Sequence, residues 1–313
     1  MKPILEIRHL SIDFIQYERG VRQRSLSAIR DLSLTVMPGQ VSAVVGASGS
    51  GKSLLAHAIL DILPYNSHRR GEILYAGEPL TTQRAAALRG REIVLVPQGV
   101  TYLNPLMKVG PQIRRGRRDA QSVERCRAAL ERYGLPPETE NLYPFELSGG
   151  MARRVLIASA VAEAPKLIIA DEPTPGLDMQ AAGRILGHFR ELAEEGSGVL
   201  LITHDLGLAL TIADRVTVFY AGETIEEASA EDFSGAGGLR HPFTRALWRA
   251  MPEHGFAPLP GSQPYPGDGV SGCPFALQCE KRTRRCQGPE EIPLRPFRGG
   301  SVRCLYPETE EKA

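Results

Sequence analysis

Short uninterrupted apolar runs, each closed by polar residues, set the pattern of the N-terminal part of the chain. Val41-Ser42-Ala43-Val44-Val45, Glu92-Ile93-Val94-Leu95-Val96-Pro97, Lys166-Leu167-Ile168-Ile169-Ala170 and Gly198-Val199-Leu200-Leu201-Ile202-Thr203 are of this kind. Such runs, lacking polar alternation, predict strands buried on both faces of a parallel sheet. Between them, Leu54–Leu60, Ala120–Tyr133 and Arg153–Glu163 read as helices, the second of them amphipathic. The start of the chain differs. Leu5, Ile7, Leu10, Ile12 and Phe14 alternate with polar residues, which predicts an edge-type strand and not a signal peptide. Interleaved strands and helices predict an α/β fold. No apolar stretch approaches the ~18 residues of a membrane span, so nothing is expected to cross a bilayer.

The strand ends carry the chemistry. Gly46-Ala47-Ser48-Gly49-Ser50-Gly51-Lys52-Ser53 follows the first run and opens a helix, spelling G-x-x-x-x-G-K-[ST] in strand–loop–helix context. Glycines let the backbone close around phosphate oxygens, and the amides and positive helix end bind their charge. Gly46, Ser48, Gly49, Ser50, Gly51 and Lys52 are therefore expected to cradle ATP, with Ser53 Oγ a Mg²⁺ ligand. Asp171-Glu172 close the 166–170 run, and in open α/β sheets ligands sit beyond the carboxyl ends of the strands. Asp171 is expected to hold Mg²⁺ through water and Glu172 to polarise the attacking water. Alone, such a carboxylate pair suits a helix N-cap equally well. Gln98 and His204 end two further strands. Each by itself is more often a loop hydrogen-bonder, but a shared sheet edge recruits them to the site.

The order of these elements selects a family. Leu147-Ser148-Gly149-Gly150-Met151 lies between Gln98 and Asp171-Glu172, and Leu177-Asp178 and His204 follow. Over roughly residues 4–235 the chain resembles the ATP-binding subunits of ABC transporters, whose signature is L-S-G-G-Q. The resemblance implies a P-loop ATPase core with an inserted helical subdomain, and catalysis by Lys52, Glu172 and His204. Mg²⁺ would be shared among Ser53, Gln98 and Asp171. It implies a dimer in which Ser148, Gly149 and Gly150 of one subunit close on ATP held by the other. A Ser and two glycines opening a helix suit that second phosphate site. Phe14 is the first choice for stacking on adenine and Tyr17 the second, with Arg19–Ser27 reading as an insertion. Met151 replaces the usual Gln, and Pro175-Gly176 stand where Ser-Ala is common.

Composition adds limits to the core and detail to the tail. At 313 residues and a formal charge of +1, the chain has room for one large core and a smaller appendage, with no global pull toward nucleic acid or anionic lipid. The expected boundaries are 1–235 for the ATPase domain, with 98–154 its helical subdomain, and 236–313 for a small irregular extension. Thr101–Met107 is apolar for a loop; it either lines a groove for a permease helix or packs on its own domain. Arg114-Arg115-Gly116-Arg117-Arg118 lacks interleaved aromatics and reads as a solvated loop face.

The extension, rich in Pro and Gly, is expected to be mostly turns and extended segments. It holds four of the five cysteines: Cys273, Cys279, Cys286 and Cys304. Cys126, the fifth, reads as a small buried hydrophobe. Clustered cysteines in a cytoplasmic chain point to a metal or cluster, although C-x5-C-x6-C-x17-C matches neither a standard zinc finger nor a bacterial ferredoxin run. His241-Pro242-Phe243-Thr244-Arg245-Ala246-Leu247 and Ser271-Gly272-Cys273-Pro274-Phe275 resemble the C-terminal extension of peptide/nickel importer ATPases. That resemblance implies a [4Fe–4S] cluster, with Arg282, Arg284 and Arg285 offsetting its charge; zinc and free thiols are the alternatives. It also implies the partners: a second ATPase subunit, identical or not, two membrane permease subunits and an extracytoplasmic substrate-binding protein. The expected place is peripheral, on the cytoplasmic face of the membrane, and the cargo peptides, nickel or a metal chelate. The rivals are an ABC-type ATPase of DNA repair or translation, for which no basic stripe or DNA-reading insertion is present, and a non-catalytic regulatory subunit, against which the complete catalytic set argues.

Overall fold

The computed structural model describes residues 2–17, 23–47, 49–259, 261–265 and 271–308. In chain order its elements are β1 (Leu5–Tyr17), β2 (Gln23–Val36), β3 (Val41–Val45), α1 (Lys52–Ile59), β4 (Ser67–Tyr75), β5 (Glu78–Pro79), α2 (Thr82–Leu88), β6 (Ile93–Val96), α3 (Val109–Ile113), α4 (Ala120–Arg132), α5 (Gly149–Val161), β7 (Leu167–Asp171), α6 (Met179–Glu194), β8 (Gly198–Thr203), α7 (Leu206–Leu210), β9 (Arg215–Tyr220), β10 (Glu223–Ser229), α8 (Pro242–Arg249), β11 (Arg295–Phe297) and β12 (Gly300–Val302). The strands run in the order β5-β4-β1-β2-β10-β9-β3-β8-β7-β6. The stretch β9-β3-β8-β7-β6 is parallel.

The apolar runs form these parallel strands because each feeds two cores at once. Val41, Ala43, Val45, Ile168, Ala170, Val199 and Leu201 enter one core, shared with α4, α5 and α6. Val44, Leu167, Ile169, Leu200 and Ile202 enter the other, shared with α1 and the antiparallel strands. Successive side chains point to opposite faces, so a strand covered on both sides has no polar positions.

The N-terminal strand is a correction. β1 pairs with both β2 and β4 and so lies inside the antiparallel sheet, not at its edge. Its alternation reports burial of one face only, with Leu5, Ile7, Leu10 and Ile12 in the core, and an interior antiparallel strand shares that pattern.

The helical insertion follows from its caps. Asp119 accepts from Ser122 N–H at 2.8 Å and starts α4. Ser148 accepts from Met151 N–H at 3.3 Å, so α5 begins at Gly149, ahead of the expected Arg153. Cys126 is buried, and Arg117 meets Glu163 at 2.8 Å on an exposed face. Within Thr101–Met107, Leu103 packs inward while Leu106 is 88 % exposed.

The tail carries more regular structure than its composition predicts. Pro242 occupies the first turn of α8, where its missing N–H is no loss, and His241 caps it. β12 pairs with β10 through Glu226↔Val302, adding the tail to the main sheet. Among the described residues no helix is long and apolar enough to cross a membrane.

Candidate active site

Strand register brings the site together. Val96 pairs with Ala170, Asp171 with Ile202, and Val45 with both Thr203 and Val218. The carboxyl ends of five neighbouring strands therefore stand side by side. Gln98, Asp171, Glu172, His204 and Gly46 each leave the sheet at or just beyond that row.

Gly46 lies against β9. A Cβ there would fall 2.3 Å from the Phe219 carbonyl oxygen, so no side chain fits. The Lys52 ammonium donates to the carbonyls of Gly46 at 2.7 Å and Ala47 at 2.8 Å, which ties the first turn of α1 to the base of the loop. Burial pushes the Lys52 pKa down, against the pull of Glu172 and Asp171. Ser50 Oγ is buried with no hydrogen-bond partner among the described residues. Gly49 and Gly51 shape the loop, and Ser48 lies outside the described residues.

Asp171 is buried on the last position of β7. Burial raises its pKa, and the Ser53 hydroxyl hydrogen-bonds to it. Its Oδ1 has no partner among the described residues. A buried carboxylate oxygen left open beside Ser53 suits a hydrated divalent cation, the demand that Mg²⁺ makes of a phosphate site. Glu172 has a left-handed backbone, φ 47°, which costs a non-glycine residue about 1–2 kcal/mol. Its N–H donates to the Ile202 carbonyl at 2.9 Å, and His204 Nδ1 lies 2.8 and 2.9 Å from its two carboxylate oxygens. The Glu172 side chain is buried while that of His204 is half exposed. The pair thus joins a fixed carboxylate to a ring facing solvent.

Ser148, Gly149 and Gly150 stand apart from this array: among the described residues none hydrogen-bonds to the phosphate loop. Gly150 borders a different groove of about 610 Å³, walled also by Arg154, Leu177, Asp178 and Ile185. Met151 packs against the apolar core, where a Gln would bury an amide. Thr174-Pro175-Gly176-Leu177 closes a turn with Leu177 N–H on the Thr174 carbonyl at 3.2 Å, and Gly176 has φ 76°. Pro followed by Gly is the pair a type II turn takes. Phe14 is half-buried on β1, whereas Tyr17 is exposed and accepts from Gln23 at 3.0 Å.

One residue escaped the sequence reading. Arg153, buried on α5, donates to the Pro97 carbonyl at 3.2 Å, linking the signature helix to the segment that carries Gln98. An arginine on an otherwise apolar helix face was the only signal.

In the tail, all four cysteines line one cavity with His241 and Ile292. Burial pushes the Cys273 thiol up to about 12 and the Cys304 thiol to about 11. Among the described residues no three His, Cys, Asp or Glu side chains are gathered tightly enough to hold a single metal ion. The cations that act most strongly on Cys279 and Cys304 are Lys281 and Arg295, and Arg282, Arg284 and Arg285 are exposed.

A phosphate loop and a row of strand-end carboxylate, amide and imidazole groups define a nucleotide triphosphatase. The ABC transporter family matches residues 29–175, and the oligopeptide/dipeptide transporter C-terminal region matches residues 225–286. The oligopeptide transport ATP-binding protein OppD of Bacillus subtilis is 38 % identical over 88 % of this chain and 81 % of its own. The dipeptide transport ATP-binding protein DppD of Escherichia coli is 36 % identical over 95 % of this chain and 96 % of its own. The dimeric cassette MJ0796 superposes with a TM-score of 0.62 at 25 % identity, covering 72 % of this chain and 98 % of that one. The chain belongs to the ABC transporter ATP-binding subunits of the oligopeptide/dipeptide importer type. It is an ATPase that works with ATP and Mg²⁺.

Proposed function

We propose that this subunit hydrolyses ATP at the cytoplasmic face of the membrane to drive peptide import through two permease subunits, supplied by an extracytoplasmic binding protein. The row of Gly46, Gln98, Asp171, Glu172 and His204 along one sheet edge carries the reading. Lys52 and the loop amides bind the phosphates, and Phe14 stacks on adenine. Ser53, Gln98 and, through water, Asp171 hold Mg²⁺, which when bound screens phosphate charge. Glu172 orients and polarises the attacking water, fixed by its bond to His204, whose exposed edge reaches toward the γ-phosphate. Ser148, Gly149 and Gly150 serve ATP on a partner ATPase subunit, identical or paralogous. That none of them hydrogen-bonds to the chain's own loop among the described residues supports that division of labour.

The tail supports a thiolate centre. Cys273 Sγ accepts from Phe275 N–H, Cys279 from Lys281 N–H and Cys304 from Tyr306 N–H, and Thr283 Oγ1 lies 3.6 Å from Cys286 Sγ. Donors around each sulfur stabilise thiolates that burial alone would protonate. A zinc ion draws four sulfurs to about 4 Å of one another. Four cysteines around one cavity are the donor set a [4Fe–4S] cluster takes, and such a cluster would staple a tail with little core of its own.

The test is uptake of labelled dipeptide and of labelled nickel by cells carrying wild type or Glu172→Gln. Dipeptide uptake is expected to disappear while nickel uptake holds, and the variant is expected to retain ATP in a closed dimer. Unchanged dipeptide uptake overturns the proposal.

A further inference from the structure

The start of α8 fixes the tautomer of a histidine. Phe243 N–H donates to His241 Nδ1 at 3.0 Å, so that nitrogen carries no proton. The ring is 1 % exposed, and a ring whose Nδ1 accepts is the neutral form. A neutral imidazole has one proton, and it must sit on Nε2. Nε2 lies 3.8 Å from Cys273 Sγ. The ring can only donate to that sulfur and never accept from it.

Resting on the thiolate-cluster reading above, we propose that His241 is a positioning residue of the four-cysteine centre: its Nε2–H is a permanent donor to Cys273 Sγ that raises the reduction potential of the centre. Cys273 then receives two donors, Phe275 N–H and the ring, and is distinguished from the other three sulfurs. Hydrogen bonds to cluster sulfurs favour the more negative, reduced state, because they stabilise the added charge where it concentrates. Removing one such donor is expected to shift the reduction equilibrium about tenfold, ~59 mV for one electron.

The test separates the donor from the cap. His241→Asn and His241→Thr both keep a side-chain oxygen to cap α8 and both lose the Nε2–H. The full chain is purified anaerobically, iron, sulfide and zinc are measured, and the potential is read by spectroelectrochemical titration, with melting temperature as the check on folding. Equal iron and a potential lowered by ~59 mV in both variants is the expected result. Loss of iron from both at an unchanged melting temperature also supports the role, since the donor then holds the thiolate in place. Equal iron at an unchanged potential overturns the inference and leaves the cluster standing. A wild-type chain with zinc, or with neither iron nor sulfide, overturns the cluster and the inference with it.

Discussion

Replacing Gly46 with alanine probes the contact between the phosphate loop and β9. The added Cβ would meet the Phe219 carbonyl oxygen at 2.3 Å and its carbon at 3.2 Å, where ordinary contact begins near 3.4 Å. Something must retreat by about 1 Å to restore van der Waals separation. β9 cannot, because Val218 is paired to Val45 and Tyr220 to Glu223. The loop therefore moves, and with it the two carbonyls that hold Lys52. Overpacking of this kind costs about 1–3 kcal/mol of stability. In a chain of this size that is roughly 1.5–5 °C in melting temperature. A cradle displaced by about 1 Å loses on the order of 10²-fold in turnover. The assays are thermal denaturation, binding of a fluorescent ATP analogue, and phosphate release. Wild-type affinity and turnover, with or without a lower melting temperature, would refute the claim that this contact places the loop.

Three further outcomes follow from the same geometry. Gly149→Ala meets no atom within 4 Å, so its melting temperature and ATP binding should match wild type. Turnover should nevertheless fall on the order of tenfold or more, because the role proposed for the residue is toward phosphate held by a partner subunit; unchanged turnover counts against that arrangement. Asp171→Asn should stabilise the metal-free fold at neutral pH. Burial raises the Asp171 pKa, so its penalty is absent below the unfolded value of about 3.9 and grows as pH rises through the folded one. Denaturation curves should therefore diverge between acid and neutral pH, while Mg²⁺-ATP binding weakens; parallel curves would remove the burial argument. Arg303→Met should cost about 3–5 kcal/mol in urea unfolding, since it removes a buried cation from Asp31 at 2.6 Å and Glu223 at 3.7 Å and leaves them only the more exposed His9 and Arg30. A loss below about 1 kcal/mol would show that the arginine is a surface ion pair in effect.

The row of polar strand ends was legible in the sequence because the same physics writes both the strands and their ends. A run such as Leu167-Ile168-Ile169-Ala170 has to be covered on both sides, and in a parallel sheet its carboxyl end opens on the ligand side. Which run stands beside which was not legible. The register of Val45 with Thr203 and of Asp171 with Ile202 is set by pairing between segments far apart in the chain. The left-handed backbone of Glu172 left no trace in composition either, since its N–H is held by the Ile202 carbonyl of a strand distant in the chain. β1 was misread for a general reason: period-two alternation reports how many faces are buried, not how many neighbours a strand has.

The tail was legible in chemistry and illegible in place, and β9 shows why. Its alternate residues serve two sites. Phe219 presents its backbone to Gly46, while the next side chain, Tyr220, turns the other way. There its hydroxyl lies 3.0 Å from Gln278 and its ring lies 4.2 Å from that of Phe243 and 6.0 Å from that of Phe275. Phe275 lies between Cys273 and Cys279 in the chain, and Gln278 immediately precedes Cys279. The strand that backs the phosphate loop is thus also the floor on which the cysteine cavity is built. Arg303 fastens the far end, donating to Asp31 on β2 and to the carbonyls of Thr224 and Ile292. Cysteine spacing and proline content describe a tail that needs a staple, but they carry no information about which strand bears it. That placement follows from a tyrosine, a glutamine and an arginine whose partners lie elsewhere in the chain. It makes the tail part of the scaffold behind Gly46 and not an appendage hung beside it.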